Sequence, residues 1–228
     1  MKVKYITFAT SNWKKFKPRL LSEFDAVNKK LNIFNEHDIE DEHFKNFILK
    51  QKKVNRGFHN YIWKPYIINQ ELQKLSKDID LLVYFDAGCD FEKDGKYLLD
   101  VDKELDNFYN SNYLLLCLRP PLNFCPIKIV CTNEFKNKYN VDNTFLNKFP
   151  HYQATFICLK NNSFSLDFIT KWKNMMNEDY PKICEIPYKK TPGLRNNGGD
   201  QIYMQYLLYK ENITPMCLNL SICKRMRG

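Results

Sequence analysis

The sequence has no uninterrupted apolar run of membrane length, so no segment reads as a bilayer-spanning helix. It has no Cys-x-x-Cys pair among cysteines 89, 117, 125, 131, 158, 184, 217 and 223, which argues against a zinc site of the usual spacing. A Gly-rich phosphate loop is missing too, and with it the main support for nucleotidyl transfer. No Arg-rich block, basic tail or known RNA-binding motif accompanies the formal charge of +9. Lysine and arginine are spread along the chain, the pattern of a solvated basic surface, and no nucleic-acid partner is expected. Low-complexity stretches and internal repeats are absent as well. The opening Met1-Lys2-Val3-Lys4-Tyr5-Ile6-Thr7-Phe8 alternates apolar and polar residues over a short span, which reads as a strand rather than a secretory leader. A cytoplasmic protein with reduced, buried cysteines is the expectation.

What is present is a core. Apolar residues make up 44% and aromatics 15% of 228 residues, enough for one large α/β domain. The central stretch is Leu81-Leu82-Val83-Tyr84-Phe85-Asp86-Ala87-Gly88-Cys89-Asp90. Five apolar or aromatic residues without polar alternation fit a strand buried on both faces. Ligands of open α/β sheets sit outside the carboxyl ends of the strands, so Asp86 would emerge where a substrate can reach it. Ala87 and Gly88 leave room for a turn or a close ligand approach, and Asp90 and Glu92 add oxygen on the same loop. An ordinary Asp-Ala-Gly turn is the alternative.

Around this strand, helices and strands alternate. The opening strand hands over at Phe8-Ala9-Thr10-Ser11-Asn12, small and polar residues that can hold a base or ribose, or that simply cap a helix. Periodicity predicts helices over 13–31, 41–53, 65–75, 98–109, 161–180 and 200–210, and strands at 31–34, 113–118, 153–159 and 216–220. One more short strand is expected within 123–130, and 184–195 reads as a lid or loop rich in Pro and Lys. The block Arg56-Gly57-Phe58-His59-Asn60-Tyr61-Ile62-Trp63-Lys64-Pro65-Tyr66 mixes aromatics with cations. Rings stack on sugar C–H faces and cations meet charged oxygen, although Trp63 and Tyr66 could equally pack a helix on the sheet.

Taken together, the strand ending Asp86-Ala87-Gly88-Cys89, the Arg56 to Tyr66 block, His151-Tyr152-Gln153-Ala154 with its Phe168 to Trp172 helix, and Gly199-Asp200-Gln201 resemble small glycosyltransferases of the GT-A fold. Such enzymes occur in bacterial surface-polysaccharide clusters and in large DNA viruses. The resemblance implies a single-domain, three-layer α/β/α, Rossmann-like fold with a mixed, mainly parallel sheet. Its nucleotide-binding half would be about 1–120 and its acceptor side about 121–228. It implies transfer of a sugar from a nucleotide diphosphate donor, a UDP-sugar by preference, to a glycan, glycolipid or protein-linked hydroxyl, assisted by Mn²⁺ or Mg²⁺.

Carried over residue by residue, Phe8, Ala9, Thr10 and Asn12 would line the nucleotide, and Asp86 with Asp90 would hold the metal beside Ala87 and Gly88. Arg56, Lys64 and Arg195 would meet the phosphates. Trp63, Gln153 and Gln201 would contact substrate, Asp200 would be the catalytic base and His151 the second candidate. The sequence departs from the fold's common Asp-x-Asp, because Asp86-Ala87-Gly88 keeps only the first acid. Cationic residues could instead neutralise the diphosphate without metal. An Asp after two glycines is also a good helix cap. A binding protein for nucleotide sugars or carbohydrates is the rival reading, and peripheral contact with a membrane-bound acceptor is compatible with the basic, aromatic surface.

Overall fold

The computed structural model describes residues 1–11, 16–50, 61–92, 94–118, 127–185 and 199–218, without the side chains of 129 and 180–185. In chain order the elements are β1 (Val3–Phe8), α1 (Lys17–Asp25), β2 (Leu31–Phe34), α2 (Glu42–Lys50), α3 (Trp63–Gln73), β3 (Leu81–Asp86), α4 (Lys96–Tyr109) and β4 (Leu115–Leu118). There follow a 3₁₀ turn (Ile127–Ile129), α5 (Asn133–Tyr139), α6 (Asn143–Lys148), β5 (Gln153–Lys160), α7 (Ser163–Glu185), α8 (Gly199–Lys210) and β6 (Met216–Leu218).

The strands form one sheet in the order β2-β1-β3-β5-β4-β6. Pairing is parallel except for β5, which runs against both β3 and β4. The sheet is therefore mixed and mainly parallel, as expected. Its strand order reverses at β1, with β2 on one side and β3 on the other, and such a switch point opens a crevice at the carboxyl ends. Register places Phe8 beside both Phe34 and Asp86, so β1, β2 and β3 end together.

Strand β3 is buried on both faces, as its unbroken apolar run predicts: Leu81 to Phe85 are at most 1% exposed. Leu81, Val83 and Phe85 pack with Leu20 and Phe24 of α1 and with Leu98, Val101, Leu105 and Phe108 of α4. Leu82 and Tyr84 belong to the opposite core, with Ile67 and Ile68 of α3, Trp172 of α7 and Met204 of α8. Two helical layers thus sandwich the sheet, giving the three-layer, Rossmann-like α/β/α architecture.

Helices α3 and α8 each precede a strand laid parallel in the sheet, so both aim their amino ends at its carboxyl edge. Helix α8 is buried almost all round, which accounts for its lack of a polar stripe. Among the bonds that fix it, Trp172 Nε1 donates to the Asp200 carbonyl (3.0 Å), Gln205 Nε2 to the Tyr152 carbonyl (2.8 Å), Tyr203 Oη to Asp179 (2.8 Å) and Tyr206 Oη to the Tyr139 carbonyl (2.7 Å).

Three expectations are corrected. The first helix is shorter than its apolar spacing implies, ending at Asp25 before Asn28 turns left-handed (φ 54°). Residues 127–129 form a 3₁₀ turn rather than a strand and Val130 continues the turn, while 123–126 lie outside the described residues. Helix α7 continues past Pro181 to Glu185. A proline costs a helix one hydrogen bond and a local clash, and here the stripe Phe168, Ile169, Trp172 and Met176, at most 2% exposed, already anchors the preceding turns.

Gly95, which leads into α4, has φ +67°, and a Cβ there would meet Val27 Cγ1 at 2.7 Å and the Glu23 carbonyl at 2.8 Å. Gly95→Ala is therefore expected to destabilise the fold by about 1–3 kcal/mol. Denaturant titration would show this, and an unchanged midpoint would mean that the loop before α4 yields freely.

Candidate active site

Tyr84 and Asp86 lie two residues apart on β3 and so share a face. The Tyr84 hydroxyl donates to Asp86 Oδ1 at 2.8 Å. From the first turn of α3, Lys64 reaches the same oxygen, with Nζ 3.0 Å from Asp86 Oδ1 and 2.7 Å from Asp200 Oδ2 in the first turn of α8. Its third acceptor is the Ala154 carbonyl at 3.0 Å, near the start of β5. The antiparallel pairing of β5 with β3 brings that carbonyl to the Asp86 end. One ammonium thus ties together α3, β3, β5 and α8.

The side chains of Lys64, Asp200 and Asp86 are 3%, 6% and 16% exposed, so Asp86 faces the crevice most openly. Burial works against the Lys64 ammonium, but Asp200 and Asp86 outweigh it and hold the lysine pKa above its ordinary value. Burial first, and then the Asp86 charge, pushes the Tyr84 phenol well above its normal range, keeping it a neutral donor. Tyr61, with φ 62°, and Tyr84 present their rings to the ammonium at 4.9 and 5.4 Å.

The loop after β3 is held from α1. Arg19 Nη2 donates to the Cys89 carbonyl at 2.7 Å, and Glu23 accepts the Phe91 N–H at 3.3 Å while pairing with Arg19. Ala87 is buried, whereas a Cβ on Gly88 would meet nothing within 4 Å. That small residue borders open space beside Asp86. On the other flank, Phe8, Ala9 and Thr10 are buried at the end of β1. Phe8 stacks on Trp63 with ring centroids 3.8 Å apart. Trp63 is 4% exposed, so it serves as a core ring here rather than as an open platform for a sugar. Ser11 donates its N–H and hydroxyl to the buried Glu36 just beyond β2.

On the β5 side, the Gln201 amide nitrogen lies 2.6 Å from His151 Nε2. The contact engages His151 Nε2, with donor and acceptor set by the tautomer of the ring. Burial lowers the His151 pKa to about 4. Gln153 opens β5 opposite Leu118. The structure therefore brings Lys64, Asp86, Asp200, Gln201, His151 and the start of β5 to one end of the sheet. Asn12, Arg56 and Arg195 lie outside the described residues, as does most of the expected 184–195 loop.

Because the unfolded chain holds the His151 proton more tightly, stability is full above about pH 6.5 and falls as pH drops toward 4. Solvent access to the half-buried ring limits the loss to about 2 kcal/mol. His151→Asn should flatten that part of the pH–stability curve in urea titrations. An unchanged slope would contradict the buried neutral ring.

As they stand, Asp86 and Asp90 are a poor pair for a divalent cation, because an oxygen of each is engaged by protein cations and donors. Water and substrate phosphates can complete such a cation's ligand set, so the carboxylates decide the fit. Asp86 Oδ1 is occupied by Lys64 and Tyr84, while Asp90 Oδ1 accepts the Glu92 N–H at 3.0 Å and lies 3.8 Å from Arg19. Among the described residues, no group of three or more His, Cys, Asp or Glu side chains could hold a metal.

Tyr84, Arg19, Glu23 and Glu36 were not singled out by sequence reasoning as site residues. The i,i+2 spacing of Tyr84 to Asp86 and the i,i+4 spacing of Arg19 to Glu23 are the signals that could have found three of them.

The chain is thus an α/β protein with a charged cluster at the carboxyl edge of a mixed sheet. No family model and no curated protein matches the sequence. Among solved structures, the chain is similar to a glycosyltransferase involved in the glycosylation of the major capsid of PBCV-1, at 11% identity and TM-score 0.49, over 96% of this chain and 81% of that one. It is also similar to mouse xyloside xylosyltransferase 1 in its apo form, at 14% identity and TM-score 0.49, over 95% of this chain and 72% of that one. No helix among the described residues is long and apolar enough to cross a membrane.

Proposed function

We propose that the chain transfers a glycosyl group from a nucleoside-diphosphate sugar, a UDP-sugar in the first instance, to a hydroxyl of a glycan, glycolipid or protein-linked acceptor. The observation that carries this reading is the buried Asp86–Lys64–Asp200 bridge at the switch-point crevice. Burying three charges is expensive and seldom stabilises a fold, so a site is the better reason for them. Two carboxylates and one ammonium leave a single negative charge, and uptake of one proton brings the cluster to neutrality. That suits a general base.

In this reading the first half of the chain binds the nucleotide over Ala9, Thr10 and Asn12, with Phe8 as a core ring stacked on Trp63 behind them. The diphosphate lies beside Gly88, where the amino ends of α3 and α8 favour an anion, with Arg56 and Arg195 as further cations. Asp86 accepts a donor hydroxyl. The acceptor oxygen, approaching past Gln153, Gln201 and neutral His151, bonds to the anomeric carbon as the bond to the phosphate oxygen breaks. The leaving diphosphate takes that electron pair, and Asp200 takes the acceptor proton. His151 Nε2 can receive a proton only by giving up Gln201, which favours Asp200 as the base.

Thermal unfolding with a panel of nucleotides and nucleotide sugars tests this reading, since a ligand of the native state raises its apparent stability. Selective stabilisation by one nucleoside diphosphate and its sugars, lost in Asp86→Ala, is the expected result. Equal response to all, or to none, contradicts it.

A further inference from the structure

We propose that Lys64 is the resident counter-cation of this site, standing where Asp86 and Asp200 would otherwise hold a divalent metal. Only the identity of the ligand, a nucleotide-sugar donor, rests on the glycosyl-transfer reading. The counter-cation itself rests on geometry.

The Nζ is within 3.0 Å of an oxygen from each carboxylate, and its remaining proton goes to a main-chain carbonyl. Carboxylates from different elements converge on one point, as metal ligands do, and the point is filled by an ammonium. The lysine cannot swing away at low cost. It is 2% exposed, lies in the first turn of a buried helix, and is walled by Tyr61 and Tyr84. Its main-chain N–H is held by the Tyr61 carbonyl at 2.9 Å, and the following Pro65 is buried.

The electrostatics also close without a metal. Lys64 leaves one net negative charge on the cluster, and the amino ends of α3 and α8 each add about half a positive charge, so an anionic donor meets a nearly neutral wall. With the ammonium deleted, two carboxylates would face one cavity. Hard oxygen pairs of that kind attract Mn²⁺. The consequence is specific: the wild-type chain works without metal, and removal of Lys64 creates a metal site.

Titration with Mn²⁺, followed by the paramagnetic resonance of the free ion, tests this directly. Wild type should show no site dependent on Asp86, and Lys64→Ala should bind one ion per chain, about ten-fold or more tighter than wild type. Lys64→Ala/Asp86→Asn should lose that site. Binding in wild type that Asp86→Asn abolishes would overturn the proposal, as would a folded Lys64→Ala that binds none.

Should Lys64→Ala unfold on its own, recovery of its circular dichroism by Mn²⁺ is expected, and no recovery counts against the proposal. In parallel, stabilisation of wild type by nucleoside diphosphate should be the same in chelator as in Mn²⁺, and a strict metal requirement overturns the counter-cation. No response to any nucleotide in either buffer would sink the transfer reading, leaving the Mn²⁺ titration to decide Lys64 alone.

Discussion

Lys64→Met is expected to cost about 3–5 kcal/mol of folding stability, among the largest effects of any single substitution in this chain. Methionine preserves the length of the stem but leaves Asp86 and Asp200 facing each other across a buried gap without the cation that bridges them. The loss should appear as a fall of roughly 10 °C in the unfolding midpoint. Its origin can be checked by coupling. Lys64→Met/Asp200→Asn removes the ammonium and one of its carboxylates together, and should recover a large part of the loss, because sites in one ion-pair network are non-additive. If the double variant were as unstable as the sum of its parts, Lys64 would be stabilising α3 by packing and not by charge.

Asp200→Asn is expected to act on turnover rather than on the fold. The amide keeps the shape of the side chain and can still accept from Lys64, while the Asp200 main-chain carbonyl keeps its bond to Trp172. What is lost is the capacity to take a proton. Glycosyl transfer should fall by about 10²–10⁴-fold, the usual worth of a general base, with nucleotide-induced stabilisation retained. Steady-state kinetics would then show the loss in kcat, with KM for the donor little changed. A folded variant with normal turnover would reduce Asp200 to a structural partner of Lys64.

Asp86, Asp200 and Lys64 also show what the sequence could and could not reveal. Asp86 was legible because a buried parallel strand has a plain local signature, five apolar residues closed by an acid, and the rule about carboxyl ends places that acid in a crevice. Asp200 was legible as the start of a helix after two glycines. Their joint dependence on Lys64 was not legible, since ion pairing among a helix, a strand and a second helix is set by the crossovers between them and leaves no periodic trace. Lys64 itself stood out as a cation in an aromatic block, which suggested a phosphate ligand. The structure shows all three of its protons directed at protein oxygens.

Trp63 misled for a related reason. Composition cannot tell a ring that faces a sugar from one that stacks on Phe8. The helix past Pro181 and the 3₁₀ turn at 127–129 mark the reach of local propensity, which tertiary packing overrides. By contrast, β3 and β5 fell close to their expected places, because burial on both faces of a mixed sheet writes itself into runs of apolar residues.

Under the proposed function, the cluster at the carboxyl edge cleaves the bond between a sugar and a nucleoside diphosphate. The most direct measurement is release of nucleoside diphosphate from a panel of nucleotide sugars, with and without simple glycoside acceptors, by wild type and Asp200→Asn side by side. Acceptor-dependent release from one nucleotide class by wild type, reduced by at least about 10²-fold in the variant, is the predicted result. Binding of a nucleotide sugar with no release under any acceptor condition would contradict it, and would make this crevice a binding site for the donor rather than a catalyst.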